Sequence, residues 1–286
     1  MSDSSRSLRE FLRAQETRLR QADVDNPSLD ARLLAGQVLG LDRAELLSQS
    51  HRILTPREMD AISMLTGRRA ERESVARILG SREFWGLSFA LNESTLEPRP
   101  DSECLVEAVL KQSGPRDTSR RVLDLGTGTG CLLLSLLHEW PNATGLGIDI
   151  APRAVEQATA NAAARNLAAR AVFRTGNWLD NIAEKFDVIV SNPPYIPSAD
   201  IPTLQPEVRD GDPLRALDGG EDGVASYRLL APQLARFLST GGLVAFEVGQ
   251  GQAKDVATLL AAQGLTDVSL HTDLGGIERC VSARVA

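Results

Sequence analysis

Asn192-Pro193-Pro194-Tyr195 follows an apolar, β-branched run, "FDVIVS", and stops it. The prolines lack amide hydrogens and fix φ, so the segment continues neither a strand nor a helix and forms a rigid turn. The Pro193 carbonyl is left free to accept, and the Asn192 side-chain oxygen is a second acceptor close by. Two fixed acceptors match the two hydrogens of a planar –NH2 group. The Tyr195 ring offers a flat face on which a planar amide or base could lie. Asn-Pro also initiates turns for structural reasons alone; the strand before it and the loop described next favour the chemical reading.

That loop is Asp124-Leu125-Gly126-Thr127-Gly128-Thr129-Gly130, placed after a short strand, "RVLDL", and before an apolar helix, "CLLLSLLHEW". Its glycines let the backbone turn tightly and approach a ligand, at the carboxyl end of a strand where open α/β sheets bind. The GxGxG spacing is not the GxGxxG of dinucleotide sites, which excludes a dehydrogenase reading. Asp124 suits a cationic ligand better than a phosphate. Asp149 ends the next strand, "GLGIDI", and its carboxylate can accept from both hydroxyls of a ribose. Glycine also serves tight strand–helix turns without any ligand, but together with Asp149 it points to a nucleoside.

The elements that must position these groups are read from periodicity. From Arg121 onward strands alternate with helices: "RVLDL", "TGLGIDI", "AVFRTG", "FDVIV" and "GGLVAFEVG" as strands, then two short strands near Val268 and Val281. "RAVEQATANAAARN", "SYRLLAPQLARFL" and "AKDVATLLAAQ" read as helices. Such alternation predicts a mostly parallel sheet covered on both faces. A Pro-, Asp- and Gly-rich stretch over 196–222 reads as a long loop. The first 80 residues read as four or five short helices. Leu8, Phe11 and Leu12 share a face; Asn26 can cap before Pro27, with Gly40 as the stop. "DRAE" and "LTPREM" look like capping boxes, the latter with Leu54 stapled to Met59. Residues 81–97 read as a hairpin linker with "ALNEST" as its turn.

Composition narrows the classes. The chain has 286 residues, 42% hydrophobic and 24% charged, as ordinary globular proteins do. Net charge of −7 argues against a large nucleic-acid footprint. No run is long and apolar enough for a membrane span, and the opening "MSDSSRSLRE" lacks a leader's apolar core, so a cytoplasmic location is expected. Cys104, Cys131 and Cys280, and His51, His138 and His271, are scattered, so no metal is expected.

The glycine loop with Asp149 resembles the S-adenosylmethionine loop of class I methyltransferases. Nearly the whole chain resembles the glutamine-N5 methyltransferases that modify peptide chain release factors. "FWGLSFALNESTLEPRPDSE" is similar to that family's linker and PRPDTE-like signature, with Ser102 in place of threonine. "DLGTGTG", "GIDI" and "SNPPYIP" stand in the expected order. "DPLRALDGGEDGVASYR" resembles a block that usually begins with glutamate, and "FEVGQGQ" and "DLGGIERCVSAR" resemble its C-terminal signatures.

The resemblance implies an α/β, Rossmann-like class I methyltransferase with a mostly parallel seven-stranded sheet, plus an N-terminal helical bundle joined by a β-hairpin linker. It implies docking of the release factor by residues 1–80, a linker over 81–97, and a methyltransferase domain over 98–286. S-adenosylmethionine is the implied cofactor, held by Asp124, Gly126, Thr127, Gly128, Thr129, Gly130, Asp149, Ile150, Asn177, Trp178 and Asn192. Asn192, Pro193, Pro194 and Tyr195 would form the amide pocket, with Asn192, Pro193 and Tyr195 carrying catalysis on the GGQ glutamine of class I release factors. Asn177 stands where the family often has aspartate, so altered adenine contacts are expected, not lost binding.

A monomer without nucleic-acid or membrane partners is expected. No ordinary base lies in these motifs, so proton loss is expected to follow methyl transfer. Two other readings use the same residues: an adenine-N6 or cytosine-N4 nucleic-acid methyltransferase, whose target is also a planar –NH2, and a non-catalytic S-adenosylmethionine-binding protein. The acidic balance weighs against the first and the amide pocket against the second.

Overall fold

The structure, a computed structural model, describes residues 6–286; residues 1–5, where the polar opening begins, lie outside the described residues. The chain divides into two units. One holds the described residues up to Gly80 together with Gln205–Gly211, and the other holds Ser81–Leu204 and Asp212–Ala286.

The first unit contains α1 (Leu8–Gln21), α2 (Pro27–Leu39), α3 (Arg43–Ser48), α4 (Pro56–Ala70) and α5 (Val75–Leu79). Local chemistry sets their starts. Ser7 with Glu10, Asp42 with Glu45 and Thr55 with Glu58 form reciprocal capping boxes, which satisfy amides the helix itself leaves unpaired. Asn26 departs from expectation: its side chain makes no cap bond, and its backbone, at a φ of −121° and a ψ of 59°, lacks the extended conformation usual for a capping residue. Pro27 still opens α2, and Gly40 closes it at a φ of 65°. Leu8, Phe11, Leu54 and Ile62 form the core, with Leu12 and Met59 packed against it. Gln205–Gly211 joins this unit through Glu207, whose carboxylate meets Arg69 at 2.6 Å and Arg72 at 2.7 Å; Arg69 also pairs with Asp30 at 2.7 Å.

The second unit opens with a hairpin of β1 (Ser81–Phe84) and β2 (Leu87–Ala90). The turn is not "ALNEST" but Trp85-Gly86, both at positive φ (53° and 68°), the backbone a two-residue hairpin requires. A tryptophan is an unfavourable residue there. Tertiary bonds hold it: its amide donates to Glu103 at 2.8 Å and its indole to Glu139 at 2.9 Å. Asn92 instead makes a turn after β2, accepting from the Ser94 amide at 2.9 Å.

Helix α6 (Glu103–Gln112) leads to β3 (Arg121–Leu125), α7 (Cys131–Glu139), β4 (Thr144–Asp149), α8 (Pro152–Ala164), β5 (Ala171–Thr175) and β6 (Phe186–Ser191). After them come β7 (Leu238–Glu247), β8 (Thr266–Thr272) and β9 (Glu278–Arg284). Seven strands form one sheet in the order β5-β4-β3-β6-β7-β9-β8; the strands from β5 to β7 are parallel, and β9 runs against both β7 and β8. Chain order reverses between β3 and β6, so their carboxyl ends flank the crevice where such sheets bind ligands.

Two further expectations change. "SYRLLAPQLARFL" is broken into Ala225–Leu230, a 3-10 turn at Ala231–Gln233, and Leu234–Phe237, because Pro232 supplies no amide hydrogen. The 196–222 stretch is structured: it holds Ile201–Thr203, Pro206–Arg209 and Leu214–Leu217 as short helical turns, and a bridge between Ile196 and Asp218. Among the described residues no helix is long and apolar enough to cross a membrane.

Candidate active site

The carboxyl ends of β3, β4 and β6 open on a cleft of ≈ 260 Å³. Of the residues singled out above, Gly126, Thr127, Gly128, Thr129, Asp149, Ile150, Asn177, Trp178, Asn192 and Pro194 line it. Asp124, Gly130, Pro193 and Tyr195 do not, and each has a different place.

Gly126 and Thr127 both donate their amides to the Ile148 carbonyl at 2.9 Å, which ties the loop to β4. Gly126 sits at a φ of 72°, and a Cβ there would stand 3.5 Å from the Trp178 ring. The ring therefore closes over the loop. Trp178 itself takes a φ of 53°, an uncommon backbone for a bulky residue. Asn177 beside it is exposed.

Asp149 accepts from the Gly128 amide at 2.9 Å through Oδ2 and from the Ala151 amide at 2.9 Å through Oδ1. Each oxygen keeps a lone pair for a ligand hydroxyl. Burial raises its pKa, opposed by those amides and by the Arg215 charge across the cleft.

Asp124 is fully buried beneath the loop. Its Oδ2 accepts from the Thr127 hydroxyl at 2.6 Å, and its Oδ1 has no hydrogen-bond partner among the described residues. Burial pushes the carboxyl up to about 7, against the lowering effect of the Thr127 hydroxyl. A buried carboxylate with an unfilled lone pair, under glycines that leave the backbone bare, fits the ammonium end of an amino-acid-bearing nucleoside. The donor set thus fits S-adenosylmethionine: Asp124 for the amino group, the bare loop for the chain, Asp149 for the ribose, and Trp178 with Asn177 for the base.

The turn after β6 is anchored by the Ser191 hydroxyl, which donates to the Leu125 carbonyl at 2.6 Å. Asn192 donates through Nδ2 to Ser102 Oγ at 3.3 Å. Among the described residues neither Asn192 Oδ1 nor the Pro193 carbonyl receives a hydrogen bond. Tyr195 lies behind the turn. Its hydroxyl donates to Glu247 Oε1 at 3.3 Å and its carbonyl accepts from Gln252 Nε2 at 2.8 Å.

Glu247 is the group that sequence reasoning passed over. It ends β7 beside the end of β6, where Ser191 is in register with Phe246. Only 1% of it is exposed, and burial pushes its carboxyl up to about 7 even with the Ser102 and Tyr195 hydroxyls and Arg279 favouring ionisation. A signal was there: a lone acid closing a run of buried apolar residues on the same sheet edge as Asn192.

The PrmC N-terminal domain family matches residues 10–80, and the Methyltransferase small domain family matches residues 99–203. A release factor glutamine methyltransferase of Rhodospirillum rubrum is 53% identical over 270 residues, covering 93% of this chain and 82% of that one. One from Bradyrhizobium diazoefficiens is 47% identical, covering 98% of this chain and 96% of its own. The crystal structure of a methyltransferase from Pyrococcus furiosus superposes with a TM-score of 0.53 at 16% identity, over 78% of this chain and 98% of that chain, a likeness of fold alone. Identity of this extent over nearly all of both sequences, on a sheet whose cleft suits a methyl donor, shows that the chain belongs to the release factor glutamine methyltransferase family.

Proposed function

We propose that the chain transfers a methyl group from S-adenosylmethionine to the side-chain amide N5 of a glutamine in peptide chain release factors. The observation that carries this reading is the pair of unfilled acceptors, Asn192 Oδ1 and the Pro193 carbonyl, on a rigid turn beside the cofactor cleft. They suit the two hydrogens of a carboxamide. The same residues would suit an exocyclic base amine, but the family's relatives are named for release factors.

S-adenosylmethionine, when bound, supplies an activated methyl group. The protein's task is alignment, because an amide nitrogen is a poor nucleophile whose lone pair is delocalised into its carbonyl. Asn192 and Pro193 hold the amide in plane for in-line attack, and positioning of this kind contributes on the order of 7–11 kcal/mol. Their accepted hydrogen bonds strengthen as nitrogen gains positive character, which favours the transition state over the ground state. The surplus proton leaves after transfer and passes to water. Tyr195, pinned to Glu247 by its hydroxyl, stiffens the turn from behind.

The helical unit holds none of the cofactor residues and takes the role of docking the release factor; Leu29, Leu33 and Leu47 give it exposed apolar surface. A monomer acting in the cytoplasm is part of this reading.

Incubation with isotope-labelled cofactor and a class I release factor, followed by mass spectrometry of the GGQ glutamine, tests this directly. One methyl group on that glutamine is expected, with none on DNA or RNA. Asn192→Ala should lower the transfer rate by about 10²-fold or more, as loss of a transition-state hydrogen-bond partner does, with S-adenosylhomocysteine still bound. Turnover near that of the unaltered enzyme would sink the role of Asn192.

A further inference from the structure

A methyl donor must enter its site, and its spent product must leave, once per turnover, so the walls of the cleft decide how long the cofactor stays. Two of those walls come from stretches far apart in the chain. One is the segment after the hairpin, which contributes Leu96, Pro98 and Arg99; the other is the helical turn Leu214–Leu217, which contributes Arg215 and Ala216. Among the described residues no backbone–backbone hydrogen bond joins the two stretches. Side chains must hold them together.

We propose that Asp212 and Arg99 are positioning residues for the cofactor: the Asp212 carboxylate clasps the 96–99 segment to the start of the Leu214–Leu217 turn and thereby holds the cleft closed around S-adenosylmethionine. The claim rests on the cleft being the seat of that cofactor, and not on what accepts the methyl group.

Both oxygens of one carboxylate make the joint. Asp212 Oδ1 accepts from the Glu97 amide at 3.1 Å, and Oδ2 pairs with the Arg99 guanidinium. The Asp212 side chain is 2% exposed and that of Arg99 is 31% exposed. Water competes poorly for a carboxylate it does not reach, which makes a charge-assisted bond to it strong. The long, partly exposed arginine is the half of the pair that can let go.

Each side of the joint is anchored. Glu97 is itself buried and pairs with Arg82 of β1 at 3.5 Å, which ties the segment to the hairpin. On the other side Pro213 follows Asp212 directly, with its φ fixed at −62°. The Pro213 carbonyl accepts from the Ala216 amide at 2.8 Å, and the carbonyl of buried Leu217 accepts from the Ile196 amide at 3.0 Å. Asp212 thus sets where the turn begins. Three residues on, Arg215 carries a charge that reaches Asp149, the carboxylate read as the ribose acceptor. With the pair intact the closed form dominates; without it, opening and escape of the ligand become more frequent.

The test is the dissociation rate of isotope-labelled S-adenosylhomocysteine, chased with an excess of the unlabelled compound. This product lacks the sulfonium charge, so an arginine left unpaired at the wall does not itself drive it out. Asp212→Asn keeps the shape, and an acceptor for the Glu97 amide, but gives up the charge that holds Arg99. Dissociation from it should be about tenfold faster, the equivalent of one hydrogen bond to a charged group. Arg99→Gln, on the more exposed partner, should do the same, and it gives the answer if Asp212→Asn does not fold. The double variant should be no faster than the faster single one, because both changes break one bond. Asp212→Glu, which keeps the charge and not the shape, should stay close to the unaltered protein. A residue that merely packs would rank these the other way, with asparagine tolerated and glutamate not.

Without any ligand, hydrogen exchange at the Glu97 amide should quicken in both single variants. Unchanged dissociation in both single variants, multiplicative rates in the double variant, or faster dissociation from Asp212→Glu than from Asp212→Asn would each overturn the proposal. So would a Glu97 amide whose exchange is indifferent to Arg99. Failure of the functional reading looks different: the unaltered protein would bind S-adenosylhomocysteine yet transfer no methyl group to a release factor, and the dissociation rates would still decide the role of the pair.

Discussion

Asp124 joins two demands in one side chain. It is buried under the glycine loop, and the role proposed for it, holding the ammonium of S-adenosylmethionine, requires it to be ionised. Burial pushes its carboxyl up to about 7, so binding of a cationic cofactor draws it back toward the charged form. Cofactor affinity should therefore weaken below neutral pH, by up to about tenfold per pH unit for a single linked proton, as read by calorimetric titration at pH 6, 7 and 8. Asp124→Asn should bind more weakly and show a flat profile. The sign for stability runs the other way. Both Asp124 and Glu247 have folded pKa values raised above their usual ones, so the native state without cofactor holds extra protons between about pH 4 and 7. That contribution is complete below the unfolded pKa and is lost as pH rises through the folded one. Denaturant midpoints should be higher at pH 5 than at pH 8 on this account, and Asp124→Asn should reduce the difference.

At the level of elements, the cofactor loop depends on how closely α/β layers can approach. Gly147 in β4 lies under Thr127, and a Cβ there would stand 2.5 Å from the Phe173 ring and 2.8 Å from Thr127 Oγ1. Gly147→Ala should destabilise the protein by about 1–3 kcal/mol, the usual cost of overpacking. It should also weaken cofactor binding, because the Thr127 hydroxyl that holds Asp124 is displaced; thermal melts with and without S-adenosylhomocysteine separate the two effects. Thr55→Ala is the contrasting case. It removes one side of a capping box far along the chain from the cleft and should cost about 1 kcal/mol with cofactor affinity unchanged.

For the whole molecule, the informative segment is Gln205–Gly211, which follows the amide-pocket turn in sequence yet belongs with the helical unit. Glu207 holds it there. Burial opposes its charge, but the bonds from Arg72 and Arg69 prevail and lower its pKa. Its stabilising contribution is thus present above the usual glutamate range and fades as pH falls through the lowered value. Glu207→Ala leaves Arg69 paired only with Asp30 in a site where the arginine side chain is 8% exposed. A loss of about 3 kcal/mol is expected, as when one partner of a buried pair is removed, with new proteolytic cleavage within 205–211. An unchanged cleavage pattern would show that Glu207 is not what holds the segment, leaving its backbone and the bond from Gln205 Nε2 to Asp25 at 2.7 Å.

The amino-acid sequence by itself determined what local chemistry can encode. Capping boxes, apolar periodicity, the bare glycine loop and the Asn-Pro-Pro-Tyr turn each act over a few neighbouring residues, so α1, α3, α4 and the seven sheet strands were legible before any coordinates. The likeness of several motif blocks to one family supplied the rest of the functional reading. What only the tertiary structure decided were the arrangements whose cause lies far away in the chain. Trp85 takes a turn position because Glu103 and Glu139 hold it, and the 196–222 stretch is ordered by Ile196, Asp218 and Glu207. Asn192 and Ser102, from distant segments, meet at one hydrogen bond, and Glu247 is buried beside the Tyr195 hydroxyl. A carboxyl's pKa and a carboxamide's direction depend on burial and on partners brought together through space, and neither is written in the spacing of residues along the chain.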